Sequence, residues 1–286
     1  MKKSRLLMLM AGLMLVAAMA FAVGCGGDDD DSDSGGSSDS VSSELITDGT
    51  LTVGSDIPFP PFEFGKAPAY DGFDIDMVNE IAKRLELETK YKDTSFDTIF
   101  TDVAQGKFDI VASASTITPE REQTVNFSDS YYEAEQALLV PVGSDIATVE
   151  DLDGKTVGAQ DGTTGEAYAN DETNAKSVRG LPNGPAAISA LDAGQVDATI
   201  IDQPVAQDAV DKGQTGFELA TTIPTGELYG MAFAKNTPAV LDAVNGALQD
   251  MKDDGALNDI YQKWFKIEAP KAVLDSSDES SSEESS

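Results

Sequence analysis

Residues 109–132 read DIVASASTITPEREQTVNFSDSYY. An aspartate and three apolar residues, 109–112, form a short buried strand that runs into Ser113, Ala114, Ser115 and Thr116. Small and hydroxyl residues at a strand end leave room beside the chain and offer donors and acceptors. Arg121 follows five residues on. A planar guanidinium grips a carboxylate with two parallel hydrogen bonds. Spacing alone also allows a surface arginine paired with Glu120 or Asp129, so the rest of the chain must decide.

Upstream of this stretch, residues 51–54 read as a first strand. The loop that follows, 55–64, is too rich in proline for regular structure. Met77, Ile81 and Leu85 recur at four-residue steps and predict a helix over 75–85. A second helix is predicted over 96–105, with Ile99 and Val103 inward. It stops at Gly106, and two residues later Asp109 enters the strand. The same order returns downstream: a helix over 185–193, Gly194, two residues, Asp197, then a strand over 198–201 that ends at Asp202. Glycine after a helix relieves the left-handed cap position. Two similar α/β units are therefore expected, each offering the polar end of a strand, where ligands of open α/β sheets collect.

Within the second unit, residues 155–159 read as a strand and Asp161-Gly162-Thr163-Thr164-Gly165-Glu166 opens a helix. Free N–H groups and two threonine hydroxyls suit an anion; an ordinary N-cap by Asp161 or Thr163 explains the same residues. Residues 204–212 read as a helix, and 229–234 as one strand returning to the first unit. Helices over 238–253 and 256–265 follow, with Trp264 and Phe265 as core anchors.

The chain ends differ from this middle. Lys2, Lys3 and Arg5 precede an apolar run over 6–21, the pattern of a secretory signal and too short for a membrane span. Ala22-Val23-Gly24-Cys25 resembles a lipobox, with alanine at the usual leucine position, so Cys25, the only cysteine, is the candidate for lipidation. Residues 25–43 form a Gly/Ser/Asp tether and 269–286 an acidic tail, both expected to be disordered. The net charge of -32 argues against nucleic acid, which demands a basic footprint. The chain contains no histidine, which excludes Ser-His-Asp and Cys-His sites and His-ligated metals. No cofactor or metal is expected.

Phe62-Glu63-Phe64, Gly72-Phe73-Asp74-Ile75-Asp76, Thr116 through Arg121, Phe127-Ser128, Gly162-Thr163-Thr164 and Tyr261 through Phe265 occur in that order. Together they resemble the polar amino-acid substrate-binding lipoproteins of ABC importers, the group that binds glutamine, histidine, or lysine, arginine and ornithine. The resemblance implies an α/β fold of the type II periplasmic-binding kind, with two lobes joined by two hinge strands. Lobe one is expected over 45–131 and 230–268, lobe two over 133–228, with hinges near 132–135 and 227–229. It implies that Arg121, Thr116 and the Thr164 N–H hold the ligand α-carboxylate, with Thr163 beside them. Asp202 and the Ser113 carbonyl would take the α-ammonium. Phe59 and Phe96 would flank the side chain, Asp56 would meet its polar end, and Gln160 would be a variable contact from lobe two. Ala114 stands where glycine or serine is common, and Gly165 where some basic-ligand binders carry glutamine. The implied partners are a polar amino acid, with a lean to a basic or amide side chain, and the membrane permease with its cytoplasmic ATPase. A monomer held by lipid to the outer face of the cytoplasmic membrane is expected. The alternative is an extracytoplasmic dehydratase on the same fold, with Asp56 or Glu63 as acid/base.

Overall fold

The computed structural model describes residues 35–213 and 215–275. The signal segment, Cys25, the first part of the tether and the tail from residue 276 lie outside the described residues. In chain order the elements are α1 (Gly35–Glu44), β1 (Thr50–Ser55), a hairpin of β2 (Phe64–Lys66) and β3 (Ala69–Asp71), α2 (Phe73–Arg84), β4 (Glu88–Asp93), α3 (Phe96–Ala104), β5 (Ile110–Val111) and β6 (Asn126–Phe127). Then come β7 (Tyr132–Pro141), β8 (Thr156–Gln160), α4 (Thr164–Asp171), β9 (Ser177–Leu181), α5 (Gly184–Asp192), β10 (Ala198–Asp202), α6 (Gln203–Asp211) and β11 (Phe217–Tyr229). The chain closes with β12 (Ala232–Phe233), α7 (Pro238–Asp254), α8 (Ala256–Trp264) and α9 (Lys271–Leu274).

Two five-stranded sheets result, ordered β4-β1-β5-β12-β6 and β11-β7-β10-β8-β9. Each has parallel strands at its centre, β1 against β4 and β5, and β8 against β9 and β10. The repeated glycine and aspartate explain why. Gly106 and Gly194 adopt φ of 73° and 66°, which lets each helix stop sharply. Asp109 then donates its N–H to the Thr52 carbonyl and accepts from Thr52 N–H at 2.6 Å. Asp197 does the same with Thr156, accepting at 2.7 Å. One residue type therefore pins the start of the central strand to its neighbour in both sheets.

The chain crosses between the sheets twice, and the crossings pair with each other. Tyr132, Glu133 and Ala134 lie opposite Tyr229, Leu228 and Glu227 in an antiparallel ladder. Buried aromatics fill this junction. The Tyr132 ring stacks 5.4 Å from Tyr229 and 5.5 Å from Tyr261, and meets Phe62 edge-on at 5.0 Å. Phe265 lies 5.0 Å from Tyr132, so the 261–265 motif supplies core, as its apolar spacing suggests.

Three sequence expectations need correction. Residues 35–44 form helix α1, although the tether was expected to lack structure through residue 43. Val41 and Leu45 pack into the core, and the Glu44 carboxylate accepts the Val240 N–H at 3.0 Å, capping α7, whose own Thr237 makes no side-chain cap. Docking overrides a composition that disfavours helix. The tail is ordered to residue 275: Ala269 and Val273 are buried, and Asn258 accepts the Ala269 N–H. The strand expected over 229–234 is two: Tyr229 ends β11 in one sheet, while β12 belongs to the other.

Candidate functional site

The two sheets point polar strand ends at one cavity. It is lined by Asp56, Phe59, Phe96, Ser113, Ala114, Thr116, Arg121, Gln160, Thr163, Thr164 and Asp202. Every residue that the resemblance offers as a ligand contact therefore borders the same space. Asp56 follows β1, Phe96 opens α3, and residues 113–116 follow β5. Gln160 and Asp202 end β8 and β10, while Thr163 and Thr164 open α4.

Arg121 is not paired with Glu120 or Asp129. Its Nη1 donates to the Thr116 carbonyl at 2.7 Å and its Nη2 to the Gly162 carbonyl at 3.1 Å. The guanidinium lies 4.6 Å from the Phe100 ring centre and 5.3 Å from that of Phe96, within cation–π range. Burial lowers its pKa, opposed by the charges of Glu227 and Asp202. The Asp202 carboxylate accepts from Tyr229 OH and from Gln136 Nε2, the latter at 2.6 Å. Burial, with the Glu227 charge next, pushes Asp202 up to about 7.

Asp56 accepts from Gln160 Nε2 at 2.5 Å, a bond that joins the walls from the two sheets. Burial pushes it up to about 6; the Gln160 bond opposes this and the Asp93 charge adds to it. The Asp56 N–H donates to Ser113 Oγ at 2.9 Å, and Ser113 Oγ donates to Glu63 at 2.7 Å. The ring of Phe59 presses on Gly184: a Cβ there would meet it at 2.8 Å. Thr163 caps α4 through the Glu166 N–H.

Sequence reasoning missed Glu227 and Gln136. One Glu227 oxygen accepts from Thr116 Oγ1 at 2.5 Å and from Thr164 Oγ1 at 2.7 Å. Its other oxygen accepts from Gln136 Nε2 and Thr225 Oγ1, both at 3.0 Å. A hydroxyl has one proton, so in this arrangement the threonine protons are committed to Glu227. Gln136 also explains Gly165, where a Cβ would come within 2.8 Å of Gln136 Oε1. Both residues lie on the crossing strands, whose sequence carries no local motif.

Glu63, a candidate acid in the dehydratase alternative, is fully buried behind Ser113 and does not border the cavity. Burial, with the Asp74 charge next, holds its pKa well above the usual carboxylate range.

Two buried lobes' worth of polar groups converging between α/β sheets define a binding protein of the two-lobed type. The chain matches the bacterial extracellular solute-binding proteins, family 3, over residues 51–267, and it belongs to that family. It is 36% identical over 200 residues to the ABC transporter glutamine-binding protein GlnH of Bacillus subtilis (strain 168), covering 68% of this chain and 73% of that one. It is 31% identical over 241 residues to the lysine/arginine/ornithine-binding periplasmic protein of Escherichia coli (strain K12), covering 80% and 93%. An ancestral arginine-binding protein bound to arginine superposes with a TM-score of 0.72 at 39% identity, covering 76% of this chain and 98% of that one.

Proposed function

We propose that this protein is the extracytoplasmic substrate-binding component of an ABC importer and captures an amino acid, with preference for a basic side chain. The observation that carries it is the charge pattern of the cavity: Arg121 shares its lining with two carboxyls, Asp202 and Asp56. Arg121 takes the α-carboxylate and Asp202 the α-ammonium, constants of every amino acid. Asp56, with the Phe59 and Phe96 rings beside the path to it, takes the end of the side chain. Glu227 bonds to Thr116 just behind the lining, which deepens the excess of carboxyl over guanidinium. A net-cationic ligand relieves that excess where a neutral side chain does not.

Residues 45–131 with 230–268 form one closing body, and 133–228 the other, joined by the paired crossing strands. A ligand that bonds both walls favours the closed arrangement by its differential contacts. The residues act in capture and release with no bond-making step. A signal segment ending at residue 24 and lipidation of Cys25 would hold a monomer at the outer face of the cytoplasmic membrane, near the permease and its ATPase. Tethering raises the effective concentration there.

A thermal-shift panel of amino acids tests the reading. L-arginine or L-lysine should raise Tm most, with a Kd on the order of 1 μM, about 8 kcal/mol. Arg121→Ala should cost on the order of 2–5 kcal/mol of that affinity by calorimetry, because it leaves the ligand carboxylate buried and unpaired. No shift with any amino acid would sink the class; a larger shift with glutamine than with arginine would sink the preference.

A further inference from the structure

Ala114 has φ of 44°. This left-handed conformation is disfavoured for any residue with a Cβ, and a non-glycine outlier of this kind at a site persists only where its surroundings hold it. Ala114 is 4% exposed and borders the cavity beside Ser113. Two carboxyl groups outside the cavity converge on this pair. Asp74, in the first turn of α2, is fully buried, and its Oδ2 accepts the Ala114 N–H at 2.8 Å and the Tyr131 OH at 2.9 Å. Glu63, also fully buried, accepts the Ser113 hydroxyl at 2.7 Å.

The two acids are brought together by a close approach of backbones. A Cβ on Gly72 would lie 2.0 Å from the Phe62 carbonyl oxygen and 2.9 Å from Glu63 Cα, so only glycine lets α2 begin against 62–63. The Asp74 N–H then donates to the Phe62 carbonyl at 3.0 Å. Gly72, Asp74 and Glu63 thus form a frame whose free ends are two acceptors aimed at adjacent residues of the binding turn.

We propose that Asp74, supported by Glu63, is a positioning residue for the amino-acid site: its bond to the Ala114 N–H holds Ala114 in the left-handed conformation and so sets the peptide that presents Ser113 to the ligand. Glycine adopts this conformation without that bond. Alanine needs the acid behind it. This inference rests on the amino-acid reading above.

The test is a double-mutant cycle read with L-arginine by calorimetry, with Tm measured alongside. Asp74→Ala should weaken binding by about tenfold, the loss of one buried hydrogen bond to the binding turn. Ala114→Gly should raise Tm by about 2 °C through relief of backbone strain. The double variant Asp74→Ala/Ala114→Gly should regain most of the affinity while keeping the lower Tm of Asp74→Ala. A merely structural Asp74 would lose stability with no rescue of affinity by glycine. Unchanged affinity in Asp74→Ala, or a double variant that binds as weakly as Asp74→Ala, overturns the proposal. Should Asp74→Ala fail to fold, a fall in Tm for Ala114→Gly removes the strain on which the inference stands. Failure of the wild-type protein to bind any amino acid strikes the functional reading instead, and the Ala114→Gly Tm still reports on the strain.

Discussion

On the proposed amino-acid reading, Asp202 joins the binding of a ligand to the binding of a proton. Burial and the neighbouring Glu227 hold its pKa at about 7, although Tyr229, Gln136 and Arg121 each favour the ionised form. An acid raised in the folded chain stabilises the fold most when it is protonated. That contribution is fully present below the ordinary aspartate range and is lost as pH climbs through about 7. The unliganded protein should therefore lose Tm from Asp202, and in the same direction from Asp56, between about pH 5 and about pH 8. Ligand affinity should run the other way, because an ammonium pairs with the ionised carboxylate. Affinity for L-arginine should fall several-fold from about pH 7.5 to about pH 5.5. Calorimetry across that range checks both slopes, and Asp202→Asn should flatten the affinity profile. Flat profiles for the wild-type protein would remove Asp202 from the ammonium site.

Among elements, the repeated unit of helix, glycine and aspartate carries most of what the sequence discloses. Gly106 and Gly194 are visible as helix stops because no other residue takes their φ cheaply, and Asp109 and Asp197 are visible because they recur at the same offset. A Cβ on Gly194 meets nothing within 4 Å, so the cost of Gly194→Ala is the backbone alone. It should be about 1 kcal/mol in urea melts, with L-arginine affinity kept. The crossing strands are the reverse case. Glu227 and Gln136 owe their importance to partners far along the chain, Thr116 and Asp202 among them, and no periodicity announces such contacts. Helix α1 went unread for a related reason: its serines and glycines argue against a helix until Glu44 reaches the start of α7.

For the whole molecule, the arrangement is a closed cleft with its own fastenings. The Gln160 bond to Asp56, the Arg121 bond to the Gly162 carbonyl and the two threonine bonds to Glu227 join groups from the two sheets or from the strands between them. A hydrogen bond to a charged group is worth about 1.5–3 kcal/mol, enough to shift a two-state equilibrium by roughly ten- to a hundredfold. Gln160→Ala should therefore increase the radius of gyration of the unliganded protein in X-ray scattering, with a smaller difference once L-arginine is saturating. An unliganded radius identical to that of the wild type would show that this bond does not govern closure. The overall two-lobed plan was legible from the ordered motifs; the fastenings were not, since they depend on which strand ends face each other.

The order of the first sheet has a consequence for how the chain is built. β12, residues 232–233, lies between β5 and β6, and β6 pairs with no other strand in that sheet. Everything from β7 to β11 is made before β12 exists. A chain emerging from its N-terminus can thus complete the second sheet while the first is still split, with β6 waiting for a neighbour more than a hundred residues away. The half of the molecule that is begun first is finished last, and the crossing strands are laid down before the sheet they lead back to can close.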